Sequence, residues 1–154
     1  VEGVVHQKLS GVGGTTARVL AGAKMLNLNT HAAEGAFVLY EIIVDGQTFK
    51  FGIADAGRIR KTGEFKGLPV RLAQQLAKIK KYAPHLEVIH KMSEVYNVTK
   101  GAMIDIETTA IAAHARKFGV PIGNVAHIKN FVGSFGRAGL SARAISALSK
   151  FLKF

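Results

Sequence analysis

The chain has no cysteine, few acidic residues and no uninterrupted apolar run long enough to span a bilayer. Without cysteine it can form no disulfide, hold no zinc through thiolates and use no cysteine nucleophile. These absences exclude thiol chemistry and leave the redox compartment open. What the chain does have is a hydrophobic fraction of 48% over 154 residues, enough apolar material for the core of one compact domain.

The scarcity of acidic residues gives the chain a strong positive charge. Asp and Glu number 10 against 21 for Lys and Arg, so the formal net charge is +11. This balance favours a polyanionic partner, because each neutralised phosphate releases counterions. Charge alone is explained equally well by a basic protein without such a ligand, and an anionic membrane is a third, weaker candidate.

The strongest local pattern lies between Phe37 and Ala54, where two apolar runs flank Asp45-Gly46. Asp-Gly between apolar runs is typical of a tight β-hairpin, because both residues tolerate positive φ. Gly52 interrupts the second run. Glycine weakens a strand interior unless something must come close to the backbone, so Gly52 predicts a place of close approach.

A charged, glycine-containing segment follows the hairpin, from Asp55 to Pro69. It is predicted to be a long loop, of the kind that often carries function. Pro69 is then expected to begin a helix over residues 70–81. A third short strand is predicted over residues 86–92, antiparallel to the hairpin.

A long helix is predicted from Thr99 to Phe118, ended by Gly119. One of its faces carries a carboxylate among mostly apolar residues: Ile104, Glu107, Ile111, His114 and Phe118. A carboxylate on such a stripe is costly unless it is paired, coordinated or at the rim of a cleft, so Glu107 is a candidate functional residue. Two further helices are predicted near the chain ends, over residues 17–28 and 138–154.

An ordered set of residues resembles the GIY-YIG nuclease domain. It comprises Tyr40 in the first strand, Gly52 in the second, an arginine on the following helix, Glu107 on a later helix and Asn124 near the end of the domain. Each of these residues alone has an ordinary structural explanation, and only the ordered set favours a nuclease.

The sequence departs from the family pattern at two positions. Val38 stands where the first motif usually has glycine, and Lys50 replaces the tyrosine of the second motif. The resemblance spans about residues 38–124. It implies an α+β fold with a small three-stranded antiparallel sheet flanked by helices, here with extra N- and C-terminal helices. We divide the chain into an N-terminal helical or linker segment, a nuclease core and a C-terminal basic helix on or beside the core, covering residues 1–35, 36–130 and 131–154.

The resemblance implies hydrolysis of phosphodiester bonds with one divalent metal, Mg²⁺ or Mn²⁺, held by Glu107. Tyr40 is expected to orient or deprotonate the attacking water, if a nearby cation lowers its pKa. Lys50 would contact phosphate or assist Tyr40, and Gly52 would let the substrate backbone approach the sheet. Asn124 completes the expected catalytic set.

The family's arginine has two candidates. Arg71 opens the helix after Pro69, whereas Arg60 has the more usual distance from Gly52 but lies in the loop. We prefer Arg71, because a helix holds the guanidinium in place for bidentate contact with a phosphate. Other basic and polar side chains are expected to bind the substrate backbone and to rim the cleft: Arg58, Arg60, Lys61, Lys66, Gln75, Lys78, Lys80 and Lys81.

The resemblance also suggests a biological setting. A nuclease module of this kind looks like the toxin of a bacterial polymorphic or contact-dependent growth inhibition system. Such a toxin is delivered by one bacterium, acts in the cytoplasm of the target cell and is neutralised by an immunity protein. A strongly basic nuclease is expected to have an acidic inhibitor, because opposite charge speeds association.

Two other classes remain open. One is a nucleic-acid-binding domain without catalysis, since Lys50 and Val38 depart from the family. The other is a membrane-active toxin that uses the apolar segment 17–28 and the basic C-terminal helix, although no stable membrane insertion is expected. Whether the substrate is DNA or RNA is left undecided by the sequence.

Overall fold

The structure is a computed structural model that describes residues 6–8, 34–125 and 139–152. The predicted helix over residues 17–28 and the last residues of the predicted core, 126–130, lie outside the described residues. Within the described residues the fold is α+β, with a small sheet flanked by helices, and this confirms the predicted fold class. The strands are β1 (His6–Lys8), β2 (Glu34–Val44), β3 (Gln47–Asp55), β4 (Val88–Met92) and β5 (Tyr96–Thr99), and the helices are α1 (Val70–Tyr82), α2 (Lys100–Phe118) and α3 (Ala142–Leu152).

The hairpin predicted from Asp45-Gly46 is confirmed. Both turn residues have positive φ, 53° for Asp45 and 82° for Gly46. This pair of angles is the one that a two-residue turn between twisted strands requires, and Asp and Gly reach it at low cost. The turn joins β2 to β3 in antiparallel register, with Tyr40 directly opposite Gly52.

Strand β2 is the centre of the sheet. One edge pairs with β3, and the other pairs antiparallel with β4 and, nearer its start, with β5. Ser93 fills the gap between those two partners: its N–H donates to the Leu39 carbonyl, and its hydroxyl accepts from the Leu39 N–H, both at 2.8 Å. The predicted three antiparallel strands are therefore present, and β5 and the parallel partner of β4, β1, add to them.

Alternate residues of β2 divide the core between the two faces of the sheet. Tyr40 and Ile42 pack with α1 and α3, whereas Leu39 packs with α2. This follows from the two-residue period of a strand, which sends successive side chains to opposite faces. Strand β3 is at one end of the order β1-β4-β2-β3 and is therefore an edge strand, and the candidate site lies beside it.

The helices begin and end close to the predicted positions. Thr99 caps α2 by accepting the Ala102 N–H at 3.1 Å, and Gly119 follows the last residue of the helix. Pro69 is the N-cap of α1 rather than its first residue. Among the described residues, no helix combines the length and the hydrophobicity needed to cross a bilayer.

The hairpin turn also anchors α3. The Asp45 carboxylate accepts from Arg143 Nε at 2.9 Å, from Arg143 Nη2 at 2.5 Å and from the Ser141 hydroxyl at 2.5 Å. Leu140, Ala144 and Leu148 are buried in the core beneath this contact. The hydrogen bonds from Arg143 and Ser141 lower the pKa of Asp45 to about 2.

We expect Arg143→Ala to lower thermal stability at neutral pH by weakening the contact between α3 and the turn. A lowered carboxyl pKa stabilises the fold above the ordinary value of about 3.9, and this stabilisation is lost as the pH falls through about 2. The difference in melting temperature between wild type and variant should therefore shrink as the pH falls below about 4. Arg116→Ala, on an exposed part of α2, is the control. A difference that is constant with pH would contradict the role of Asp45.

Candidate active site

The residue that approaches Gly52 is Tyr40, its partner across the hairpin. A Cβ atom at Gly52 would lie 2.2 Å from Cζ and from the hydroxyl oxygen of Tyr40, closer than any packed side chain allows. The glycine therefore makes room for the phenol ring. The sequence was right to indicate close approach at Gly52, and the group that covers it here is the side chain of Tyr40. The approach of substrate backbone to Gly52 stays a prediction.

Asn124 is joined to the edge of β3 by two hydrogen bonds. Its Oδ1 accepts from the Phe51 N–H at 2.8 Å, and its Nδ2 donates to the Phe51 carbonyl at 2.9 Å. The buried amide thus satisfies this edge as a neighbouring strand would. Phe51 lies between Lys50 and Gly52, so Asn124 fixes the backbone that presents both residues. We regard it as a positioning residue because both ends of its amide are engaged.

Gly123 allows this contact to form. A Cβ atom there would lie 2.8 Å from the Phe49 carbonyl oxygen and 2.8 Å from Lys50 Cβ. The short 3₁₀ helix Ile122–Asn124 can therefore lie against β3 only because residue 123 has no side chain.

Residues from five separate segments line one cleft of about 380 Å³ beside β3. They bring together the predicted catalytic set and several residues that the sequence did not single out. The lining residues are Tyr40, Lys50, Gly52, Ile53, Arg71, Lys100, Ile104, Glu107, Thr108, Ile111 and Asn124.

We compared the chain with protein-family models, with curated proteins and with solved structures, and none of the three comparisons found a match.

The Tyr40 hydroxyl is buried and forms no hydrogen bond of standard geometry with a described residue, although Arg71 lies close enough to interact with it. Burial raises the pKa of the phenol to about 12; Arg71 lowers it and Glu107 raises it, each with a smaller effect. Arg71 thus lies near enough to favour the phenolate without forming a hydrogen bond of standard geometry. Burial outweighs Arg71, so the expected lowering of the tyrosine pKa is not found. Tyr40 keeps its proton at neutral pH and can donate it in a hydrogen bond.

Lys50 and Glu107 both lie in surroundings that disfavour their charged forms. Burial is the largest cause in each case: it lowers the pKa of Lys50 and raises the pKa of Glu107. The attraction between the two residues opposes both shifts, and so does the attraction of Arg71 for Glu107. Glu107 nevertheless forms neither a salt bridge nor a hydrogen bond with any described residue, so its charge is only partly compensated.

Glu107 is the only carboxylate among the described residues that line the cleft. Its chemistry fits Mg²⁺, which prefers oxygen ligands and is commonly held by one or two carboxylates together with water. The incompletely compensated charge of Glu107 also fits a cation ligand. The described residues contain no cluster of three or more acidic or histidine side chains of the kind that encloses a metal ion. Any divalent cation here would depend on Glu107.

The structure separates the two candidate arginines. Arg71 lines the cleft, whereas Arg60 is not among its lining residues. Arg60 lies in the loop before α1, where its N–H donates to the Leu68 carbonyl at 2.8 Å and its carbonyl accepts from the Gly67 N–H at 2.9 Å. Arg58 and Gln75 line a neighbouring cavity together with Arg71.

The expected basic rim is only partly at the cleft. Lys78 lowers the pKa of Lys50 and is thus within electrostatic reach of it. Lys80 forms a salt bridge with Glu64, and Lys81 Nζ lies 5.9 Å from the centre of the Tyr82 ring. Among the described residues that line either cavity, six of the expected substrate contacts are missing: Arg60, Lys61, Lys66, Lys78, Lys80 and Lys81.

Sequence reasoning missed Lys100, which lines both cavities. It is the first residue of α2, one turn before Ile104, and so continues the stripe on which Glu107 was recognised. Extending that stripe by one turn would have found it. His114, from the same stripe, is instead bonded at the end of the helix, with Nδ1 2.9 Å from the Gly119 carbonyl oxygen.

We expect Glu107→Gln to raise the melting temperature at neutral pH. A carboxyl whose pKa is raised in the folded state destabilises the fold once it ionises, that is, as the pH rises past its ordinary value of about 4.3. Replacement by a neutral amide of similar shape removes this penalty, so the gain should be present at pH 7 and vanish below about pH 4. Asp105→Asn, exposed on the same helix, should show no such gain. If Glu107→Gln were less stable than the wild type at neutral pH, the ionised carboxylate of Glu107 would instead be stabilising the fold.

Proposed function

We propose that this protein is a metal-dependent nuclease that hydrolyses phosphodiester bonds in nucleic acid. One observation carries the proposal: Tyr40, Lys50, Arg71 and Glu107 converge on one cleft from two strands and two helices. A carboxylate, a guanidinium, an amine and a phenol are the groups that phosphodiester hydrolysis uses. The charges in this cleft are also incompletely compensated, as is common where side chains do chemistry rather than support the fold.

Each group has a role that its surroundings support. Arg71 binds the non-bridging oxygens of the scissile phosphate, where negative charge grows during the reaction. Tyr40 orients the attacking water through its neutral hydroxyl. Burial lowers the pKa of Lys50, so a larger fraction of its amine is neutral than in an exposed lysine. The neutral amine can accept a proton from that water. Asn124 holds the backbone on which Lys50 is carried.

Glu107 would hold the divalent cation, Mg²⁺ or Mn²⁺. Once bound, the cation would act as a Lewis acid toward the phosphoryl oxygens. The net charge of +11 supports a polyanionic substrate, DNA or RNA.

We further propose that the nuclease is an antibacterial toxin module, delivered by one bacterium to act in the cytoplasm of another. The resemblance to GIY-YIG nucleases and the strong basic charge support this setting. An immunity protein would cover the cleft with carboxylates, which replace the phosphates of the substrate and pair with Arg71 and Lys100.

The first test is the removal of the carboxylate. Glu107→Gln should reduce cleavage of plasmid DNA, total RNA or tRNA by roughly 10²–10³-fold, because the cation that stabilises the growing charge is lost. EDTA should have the same effect on the wild type. Asp105→Asn is the matched control. Cleavage that persists in Glu107→Gln or in EDTA would refute the proposal, and retained binding without any cleavage by the wild type would indicate a binding domain.

The second test compares the two arginines. Arg71→Ala should lower the cleavage rate by on the order of 10³-fold, as expected when an arginine stabilises a phosphoryl-transfer transition state. Arg71→Lys should recover little of it, because lysine lacks the bidentate fork. Arg60→Ala should cleave nearly as well as the wild type, since Arg60 is not among the residues that line the cleft. An inactive Arg60→Ala beside an active Arg71→Ala would reverse the assignment.

A further inference from the structure

A second cavity, which we call the flanking cavity, adjoins the cleft. It has a volume of about 600 Å³, within the roughly 300–1,000 Å³ of ordinary ligand sites. Ile53, Arg71 and Lys100 belong to both cavities. A chain bound with a phosphate at Arg71 would therefore place its next nucleotide in the flanking cavity.

The charge of the flanking cavity suits an anion. Arg58, Arg71 and Lys100 line it. The salt bridges between described residues join Lys80 to Glu64 and Arg143 to Asp45, so they leave these three cations available to a ligand. Asp55 is the one carboxylate among the described residues of its wall, and it accepts the Gly57 N–H at 2.8 Å. Three cations against one carboxylate in a concave site raise the local potential and attract phosphate.

The polar groups in its wall suit a nucleobase. Gln74 and Gln75 both line the cavity, and Gln75 Oε1 is buried without a hydrogen-bond partner among the described residues. A buried acceptor left unpaired costs about 1–3 kcal/mol, and a ligand with an N–H group can satisfy it. Phosphodiester oxygens have no hydrogen to donate, whereas the edges of the bases carry N–H donors. A ribose 2′-hydroxyl is also a donor, and the DNA substrate in the test below lacks it.

Apolar side chains complete the cavity. Phe37, Ile53 and Val70 provide a surface against which the flat face of a base can pack. The flanking cavity therefore combines cations that can bind phosphate, the unpaired amide oxygen of Gln75 and an apolar wall. This combination matches a nucleotide better than an isolated phosphate, because a phosphate would contact neither the amide oxygen nor the apolar wall favourably.

We infer that the flanking cavity binds the nucleotide adjacent to the scissile phosphate and reads its base through Gln75. Arg58 and Lys100 hold the phosphate of that nucleotide, and the amide of Gln75 accepts a hydrogen bond from the base. The inference rests on the proposed nuclease function and adds to it a source of base preference at the cleavage site.

The test measures binding and cleavage separately. Binding uses the inactive Glu107→Gln protein and short fluorescein-labelled homopolymers of A, C, G and U, followed by anisotropy. Cleavage is measured with protein that keeps Glu107, acting on a mixed-sequence RNA and on its DNA counterpart, and the ends of the products are sequenced. Gln75→Leu keeps the approximate size of the side chain and removes the amide. Gln47→Leu, in the hairpin and exposed, is its control.

We expect the parent protein to discriminate between homopolymers by about tenfold or more, as one base contact allows. Gln75→Leu should bind them nearly alike and lose the base preference next to the cleaved bond. Arg58→Ala should weaken all four homopolymers together and raise KM more than it lowers kcat, since Arg58 contacts phosphate. The melting temperature of Gln75→Leu should not fall, because the change removes an unsatisfied acceptor.

Two results separate this inference from the proposed function. Suppose that the wild type cleaves, and that Gln75→Leu changes neither the discrimination between homopolymers nor the ends of the cleavage products. The inference about the flanking cavity is then wrong, and the proposed nuclease function is unaffected. If no cleavage occurs but homopolymer binding still depends on Gln75 and Arg58, the nucleotide site stands and the nuclease is wrong.

Discussion

The phenol ring of Tyr40 lying across Gly52 is the contact on which the cleft depends. The two residues are directly opposed in the hairpin, so their contact is set by the register of β2 against β3. A shift of that register by one residue would turn the side chains of β3 to the other face of the sheet. Lys50 would then leave the cleft, and the Phe51 peptide would no longer meet Asn124. The register at Tyr40 is set by the Asp45-Gly46 turn together with a one-residue shift in pairing between Ile42 and Ile43, and it is held by burial on both faces of β2.

The charged and polar groups in the cleft are less well compensated by their neighbours than those in the rest of the described fold. Elsewhere, alternate residues of β2 fill two apolar cores, and Asp45 is well bonded to Arg143. In the cleft, burial disfavours both the Glu107 carboxylate and the Lys50 ammonium, and the Tyr40 hydroxyl has no hydrogen bond of standard geometry to a described residue. Such exceptions are common at functional sites, and they are the reason to regard this cleft as the candidate site. The cores on either side of the sheet supply the stability that lets these groups remain there.

Local signals predicted most of the fold. The positive φ tolerated by Asp45 and Gly46 predicted the hairpin, and the hydroxyl of Thr99 and the position of Gly119 predicted the bounds of α2. Strand β5 was missed because its four residues carry no clear alternation and are held mainly by pairing with the start of β2. Strand β1 has only three residues and is defined by its parallel partner, β4. Pairing between distant segments leaves little trace in the local sequence.

For the candidate site, the sequence by itself determined which chemical groups were available and on which local elements they stand: Tyr40 and Lys50 on strands, Arg71 and Glu107 on helices. Only the tertiary structure decided which of these groups meet. It placed Arg71 rather than Arg60 at the cleft, added Lys100, and gave Asn124 a partner 73 residues away along the chain. It also decided the protonation of Tyr40, since the ring is buried more strongly than the neighbouring cation can offset. The physical reason is that burial, electrostatics and hydrogen bonding depend on distances across the fold, whereas sequence patterns report only neighbours along the chain.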